Sequence, residues 1–477
     1  MEKQIAFNKT KIVATVGPAS NNRQMLEKLI KSGADVLRLN FSHGSHELHK
    51  QVVDYVREIN KSLGTHVSLL QDLQGPKIRT NLVDNGEVMV EPGHELIITS
   101  DDILGTSKKI STSYTSLPDD VQVGDTILID DGKIELRVKR VDGNDVVTDV
   151  IYGGPIKSRK GINLPDTKVS APSLTEKDEE DLQFGLENDL DWVALSFVRT
   201  ADDINTLKRK IEQAGKNLKV IAKIEKPEAL KNIDEIIEVT DGLMVARGDL
   251  GVEIAMEEVP MVQKMLIAKC NKAAKPVIVA TQMLESMIEN PRPTRAEAND
   301  VANAVMDGAD AVMLSAESAS GKYPAEAVKS MNNIIASAEK SPSIYYKFFS
   351  PDKDSSTFIH DSLVLSACQL SKELGAKAIL GMTKSGYTGF KLAHHRPKAN
   401  IFIFTSNMAL LNKINLIWGV RGFYYDKMAS TDDTFRDLEH ILIDKGHLTK
   451  GDIFINTASM PIHWEGRTNI LKVNIVQ

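Results

Sequence analysis

The residues of this chain that could do chemistry sit at the ends of apolar runs. Glu225 closes KVIAKIE at 219–225, and Asp249 follows DGLMVARG at 241–248. Two converging carboxylates, completed by water, suit an octahedral Mg²⁺, which prefers hard oxygen ligands. Taken singly, each would be an ordinary cap of the next helix. Lys223 lies two residues before Glu225, so in an extended chain both side chains share a face. Between apolar Ile221, Ala222 and Ile224, it reads as a buried cation able to stabilise negative charge on a transferred group. The bland alternative is a solvated strand-end lysine. Arg38 and Asn40 share a face in RLNFSHG, with Ser42 beyond. A guanidinium suits fork-like phosphate recognition. Asn40, Ser42 and Asp72 together could hold a monovalent cation, or the segment is simply a structural strand end. In ARGDLGVEI, 246–254, glycines around an acid let backbone N–H groups approach an anion at a helix start. The RGD within it has no adhesion meaning in that setting. GPKIRT, 75–80, directs Arg79 back toward the main site, and TKSG, 383–386, is either a phosphate cradle or an ordinary strand–helix turn. His43, His46, His49, His394, His395 and His463 show no metal spacing and read as surface or structural residues.

Short β-branched runs position these groups. They lie at 11–17, 35–41, 67–73, 191–197, 219–225, 241–248, 276–282 and 310–318, with helical stretches such as NRQMLEKLIKSGA and ADDINTLKRKIEQAG among them. Continuous apolar strands alternating with helices imply a buried parallel sheet, and eight of them a (β/α)8 barrel. A doubly wound open sheet is the fallback. Each run begins apolar and ends in reactive types: Arg38 and Asn40, Asp72, Ser196, Lys223 and Glu225, Arg247 and Asp249, Thr281 and Gln282, Ser315 and Glu317. Barrel enzymes keep their chemistry at that end of the strands. The barrel is expected over 1–73 and 169–341. Residues 74–168, with turn signals at DNGE, EPGH, VGDT, DDGK and VDGND, read as an inserted all-β lid domain, a small β-barrel placed to close over the site. SPDKDSST at 350–357 looks like a linker within the start of a third, α/β domain, 342–477, with a mixed or parallel sheet. No solenoid repeat or low-complexity tract is present.

The composition agrees. The chain has 477 residues, enough for about three domains. With 42% apolar and 26% charged residues it is an ordinary globular chain, neither disordered nor collagen-like. A net charge of −7 disfavours non-specific nucleic-acid binding, which needs a cationic face. Cys270 and Cys368 lie in apolar helical contexts, as small buried residues rather than a disulfide or zinc framework. The N-terminal MEKQIAFNKTK lacks an apolar signal core, and no uncharged apolar run reaches membrane-spanning length. The expected location is the cytoplasm, with no membrane partner.

In order along the chain, KIVATVGPAS, LRLNFSHG, DLQGPKIRT, RKGINLP, SFVR, AKIEKPEAL, DGLMVARGDLGVEI, ATQMLESM, PTRAEANDVANAV and SAESASGKYPAEAV resemble the pyruvate kinase family. The resemblance spans essentially the whole chain. It implies a barrel, an inserted lid, a C-terminal regulatory domain, a homotetramer and Mg²⁺-dependent phosphoryl transfer from phosphoenolpyruvate to ADP, giving pyruvate and ATP. Mn²⁺ is an expected substitute metal. By motif, Lys223 matches the lysine on the transferring phosphoryl group, Glu225 and Asp249 the Mg²⁺ carboxylates, and Arg38 the substrate-phosphate arginine. Ser196, Gly248, Asp249 and Thr281 match substrate contacts, and Thr281 the threonine near the protonated enolate face. Arg79, Lys160, Asn40 and His43 match the nucleotide side. Asn40, Ser42 and Asp72 match K⁺ ligands.

Two departures follow. K⁺-dependent members carry an acidic residue where this chain has Lys77, and Thr where it has Leu73. The Lys77 ammonium is expected to take the role of the monovalent ion, making K⁺ unnecessary. Thr383, Lys384, Ser385 and Gly386 resemble an effector-phosphate loop, but the loop before the last strand, SMPIHWEGRT, does not match the family's Gly-rich one. A sugar-phosphate effector is therefore expected without its identity. The rival readings are a barrel lyase or aldolase acting on a metal-bound pyruvate enolate, and a catalytically silent sugar-phosphate sensor. The lyase would not need the lid or Arg79, and the sensor would be expected to lose Lys223 or a metal carboxylate.

Overall fold

The computed structural model describes residues 8–427, 430–460 and 467–477. Eight parallel strands close a barrel: Lys11–Val16, Val36–Asn40, Ser68–Asp72, Trp192–Leu195, Lys219–Ile224, Gly242–Ala246, Val277–Ala280 and Ala311–Leu314. Each pairs with its neighbours in sequence, and the first pairs with the eighth. Alternation sorts their side chains into two cores. Val13, Val36, Leu70, Ala194, Ile221, Met244, Ile278 and Met313 fill the interior. Ile12, Leu37, Leu69, Val193, Val220, Val245, Val279 and Val312 face the helices outside. That parity aims Thr15, Arg38, Asp72, Ser196 and Lys223, each two residues beyond an inward residue, into the barrel mouth.

Local signals hold the helices in register. Asn22 accepts from the Met25 N–H to start Arg23–Ser32, and Gly33, at φ +118°, ends it. Thr175 with Asp178 and Thr294 with Glu297 form reciprocal caps on Glu176–Glu187 and Arg295–Asp307. Cys270 and Cys368 are buried within helices, where burial pushes both thiols up. Among the described residues no helix is long and apolar enough to cross a membrane.

The insertion packs around its own apolar cluster, from Ile78 to Val169. Its ladders run round most of the small β-barrel expected there. They give a six-stranded sheet, in the order Ile162–Asn163, Thr126–Ile129, Ile134–Asp142, Asp145–Tyr152, Glu95–Thr99, Lys109–Ser111, beside a two-stranded sheet of Glu87–Val90 and Gly154–Lys157. Residues 78–81 join the two edges of the six-stranded sheet: the Thr80 and Ile162 N–H groups donate to the Lys160 and Ile78 carbonyls at 2.8 and 2.9 Å on one side, and the Asn81 and Ser113 N–H groups donate to the Ser111 and Arg79 carbonyls, both at 2.9 Å, on the other. The short helix Leu117–Asp120 interrupts the otherwise all-β pattern.

The C-terminal domain carries a five-stranded mixed sheet. Its order is Val420–Tyr424, Asn400–Thr405, Ala378–Met382, Ile453–Ala458, Ile470–Ile475, the last strand alone antiparallel. It caps the barrel's N-terminal end. Leu416 joins the interior cluster, the Trp192 indole N–H donates to the Lys413 carbonyl at 3.1 Å, and Ser68 Oγ donates to the Asn412 carbonyl. Arg396, nearly sealed from solvent, donates to both Asp310 oxygens at 3.0 and 3.1 Å and to the carbonyls of Gly308 and Ala393.

Candidate active site

At the C-terminal ends of the strands one continuous network of charge spans the barrel mouth. Arg38 donates through Nε to Asp72 Oδ2 at 2.6 Å and through Nη1 to Thr15 Oγ1 at 3.0 Å. Lys223 Nζ reaches Ser196 Oγ at 2.6 Å, Glu225 Oε1 at 3.0 Å and Asp72 Oδ1 at 3.1 Å. Three acceptors occupy an ammonium with three protons. Burial opposes the Lys223 charge, but Asp72 and Glu225 outweigh it and raise its pKa above the ordinary lysine value. Asp72 is drawn down because Arg38 and Lys223 overcome its own burial. Glu225 is pushed up by burial and by the neighbouring charge of Asp249, against Lys223 and the Phe197 N–H, which donates to Glu225 Oε2 at 2.7 Å.

The loop after the sixth strand supplies the other half. Arg247–Glu253 turns into a short helix directly from the strand, placing Asp249 in its first turn. Arg247 points away from the mouth, to Asp300 and the Thr281 carbonyl at 2.8 and 2.7 Å, and so anchors that helix to the seventh strand's loop. The Gly248 N–H donates to Thr281 Oγ1 at 2.7 Å, and that hydroxyl donates to the Ala280 carbonyl at 2.6 Å. Thr281 has φ +71° and Gln282 φ +53°. A β-branched residue in the left-handed region is strained, and such strain clusters at functional sites. A Cβ on Gly248 would lie 3.3 Å from Thr281 Oγ1, so only hydrogen leaves the anion approach open.

The structure thus brings together Arg38, Asp72, Ser196, Lys223, Glu225, Gly248, Asp249 and Thr281. Asn40 Oδ1 accepts the Ser42 N–H at 3.2 Å beside them. His43 is exposed at the rim, and partial desolvation there, with the charges of Arg79, Arg38 and Lys77, lowers its pKa. Arg79 therefore lies within electrostatic range of the mouth, its Nη1 on the Arg159 carbonyl at 3.1 Å. His46 pairs with Asp181 at 2.7 Å and His49 with the His43 carbonyl at 3.0 Å, both structural.

Other expected residues go elsewhere. Lys77 does not join Asp72, whose oxygens Arg38 and Lys223 already hold; its ammonium pairs with Asp249 Oδ1 at 3.2 Å. The Leu73 side chain has the outward parity and packs in the barrel–helix core, leaving its carbonyl to accept from Ser196 Oγ at 2.7 Å. Lys160 is held by Asp130 at 2.7 Å inside the lid. Glu317 is a buried bracket: its oxygens accept the N–H groups of Leu284 and Ser315. In the distant 383–386 loop, Thr383 Oγ1 accepts the Gly386 N–H at 3.0 Å, and Gly386 has φ +86° at the start of Tyr387–His394. His463 and most of SMPIHWEGRT lie outside the described residues.

Three supporting residues escaped the sequence reading. Thr15 holds Arg38, and its inward parity was the available signal. Gly75, at φ +68°, lies so close that a Cβ would fall 2.9 Å from Ser196 Cβ, and its N–H donates to buried Asp178. Phe197 turns its N–H onto Glu225 at φ +54°. The last two depend on contacts between loops far apart in sequence.

Among the described residues no cluster of three or more His, Cys, Asp or Glu could form a metal cage. Glu225 and Asp249 fit Mg²⁺ in another way. They are hard oxygen donors on adjacent loops whose charges are mutually felt, and Mg²⁺ takes few carboxylates and keeps water and substrate oxygens for the rest.

Cations, carboxylates and a strained, glycine-lined turn at the C-terminal mouth of a parallel barrel define a phosphoryl-handling barrel enzyme. The family model for the pyruvate kinase barrel domain matches residues 7–328, and that for the pyruvate kinase alpha/beta domain matches 361–474. The pyruvate kinases of Staphylococcus aureus strains MRSA252 and USA300 are each 46% identical to this chain over 476 residues, covering 98% of it and 81% of their own length. A crystal structure of a pyruvate kinase from Cryptosporidium parvum superposes with TM-score 0.92 at 35% identity, covering 98% of this chain and 96% of that one. This chain belongs to the pyruvate kinase family and is an enzyme of that kind.

Proposed function

We propose that the chain transfers the phosphoryl group of phosphoenolpyruvate to ADP in a Mg²⁺-dependent reaction, the last step of glycolysis. The supporting observation is Lys223, a fully engaged ammonium held between Asp72 and Glu225 at the mouth of the barrel. Glu225 and Asp249 would hold the metal, which would supply positive charge to offset the charge that builds up during transfer. Arg38 and Lys223 bind and orient the substrate phosphate. The P–O bond to the enol oxygen breaks as a bond forms to a terminal ADP oxygen, and Lys223 neutralises the charge that develops. The pyruvate enolate then takes a proton at its methylene carbon, on the side toward Thr281. The substrate carboxylate lies against the turn at Gly248, where the absence of a side chain leaves room for it. The lid, with Arg79 and Lys160 on the nucleotide side, excludes water and so suppresses hydrolysis.

Lys77 places a permanent positive charge beside Asp249. In this reading that charge does the electrostatic work of a monovalent ion at the mouth, and the enzyme does not need K⁺. The Thr383–Gly386 loop is the effector-phosphate cradle, the assembly is a homotetramer, and the enzyme works in the cytoplasm.

The test is pyruvate formation from phosphoenolpyruvate, ADP and Mg²⁺ in matched K⁺ and bulky organic-cation buffers. Equal rates are expected. A rate only in K⁺ would keep the reaction and discard the role of Lys77, whereas folded protein inactive in both would point to the silent-sensor reading.

A further inference from the structure

A buried ion pair lies directly behind the two metal carboxylates. Lys226 Nζ donates to Glu253 Oε1 at 2.7 Å, with side-chain exposures of 11% and 1%. The same oxygen accepts from Asn163 Nδ2 at 2.8 Å. Glu253 Oε2 is buried with no hydrogen-bond partner among the described residues. These groups line a small cavity between lid and barrel, together with Lys77, Phe197 and Arg199.

Their places in the chain give the pair its meaning. Lys226 immediately follows Glu225, and Glu253 lies one helical turn beyond Asp249 on Arg247–Glu253. The pair therefore ties together the two backbone segments that carry the carboxylates. Asn163 ends the lid strand Ile162–Asn163, while Lys77, where the chain enters the lid, pairs with Asp249. The lid thus grips the seven-residue helix at both ends. A helix this short has little stability of its own and takes its position from such contacts. Burying an ion pair is a poor way to gain stability compared with apolar packing. Groups that fix metal ligands from behind, by contrast, govern metal affinity strongly.

We infer that Lys226, Glu253 and Asn163 are positioning residues that set the separation of Glu225 and Asp249 and make it depend on how the lid is seated. The inference rests on those two carboxylates being the Mg²⁺ site. Withdrawal of the lid removes the Asn163 donor from a buried carboxylate that already lacks a partner at its second oxygen, so the end of the helix loosens. Metal binding and lid seating then favour each other.

The experiment measures Mn²⁺ binding to the full-length protein by electron paramagnetic resonance, without nucleotide or substrate. Backbone hydrogen exchange over 247–253 is followed in parallel. Asn163→Ala leaves the ion pair intact, Glu253→Gln weakens it, and Asp249→Asn removes a ligand. The expected result is Mn²⁺ binding about tenfold weaker in the first two variants, with faster exchange over 247–253. Asn163→Ala should need more Mg²⁺ for half-maximal rate while retaining kcat at saturation. If Glu253→Gln does not fold, Asn163→Ala decides alone. Parental Mn²⁺ affinity and exchange in Asn163→Ala, with binding lost in Asp249→Asn, would overturn the inference and keep the metal site. Undiminished binding in Asp249→Asn would overturn the metal reading itself and this inference with it.

Discussion

Lys223 illustrates how one side chain reads differently from sequence and in space. Spacing and apolar neighbours showed that it shares an inward face with Glu225, and the same parity placed Arg38 and Asp72. Its third acceptor, Ser196, follows from the barrel closing the fourth strand onto the fifth. Replacement by methionine removes the cation on the transferring group and leaves Asp72 and Glu225 short of a partner. Lys223→Met should lower kcat by about 10³-fold with a small change in the KM for phosphoenolpyruvate, measured by steady-state kinetics on protein whose fold is checked by circular dichroism. Lys77 and Lys160 were harder to place, because a long flexible side chain goes to whichever carboxylate the fold brings near. For Lys77 that is Asp249, and for Lys160 it is Asp130.

The elements were the most legible scale. Strands buried on both faces must be apolar throughout, so all eight stood out, and the structure trims them where polarity begins. The lid was legible as β-rich but not in its connectivity, which depends on pairings between distant edges. The reciprocal caps entered only with the structure, although Thr175–Asp178 and Thr294–Glu297 carry the Thr-x-x-acid spacing. One of them reaches the active site indirectly: Arg295–Asp307 carries Asp300, which holds Arg247. Its reciprocal cap uses Thr294, and Glu297 also accepts from Ser286. Thr294→Ala is expected to cost about 1 kcal/mol, read from the urea midpoint at unchanged slope.

At the scale of the molecule, the junction of barrel and C-terminal domain contains groups that titrate. The His395 and His394 Nε2 atoms lie 3.0 Å apart, His395 Nδ1 accepts the Phe349 N–H, and His394 Nδ1 meets the Asn271 carbonyl at 3.1 Å. Both rings must be neutral for this relay. Burial first, then neighbouring rings and cations, lowers them to about 3 for His394 and about 4 for His395. Unfolded imidazoles take up protons near pH 6.5, so below that the unfolded chain binds more protons and the fold loses stability as pH falls toward 4. Above about pH 7 the pair contributes no slope. Urea unfolding from pH 7.5 to 5 should show the loss, at no more than about 1.4 kcal/mol per pH unit for each ring, and His395→Gln should flatten it. Beside them, Arg396→Leu strands Asp310 in the interior, an expected loss of about 3–5 kcal/mol in the same assay. Neither effect was legible in the sequence, since HHRP names no partner. The same junction bears on inheritance. Because Leu416 packs under the filled interior of the barrel, a chain cut short after residue 341 would keep its catalytic residues yet expose the underside of that apolar core to water. A nonsense mutation just after codon 341 should therefore behave as a null allele, and the stretch of the gene beyond it is as indispensable to catalysis as the part that encodes the site.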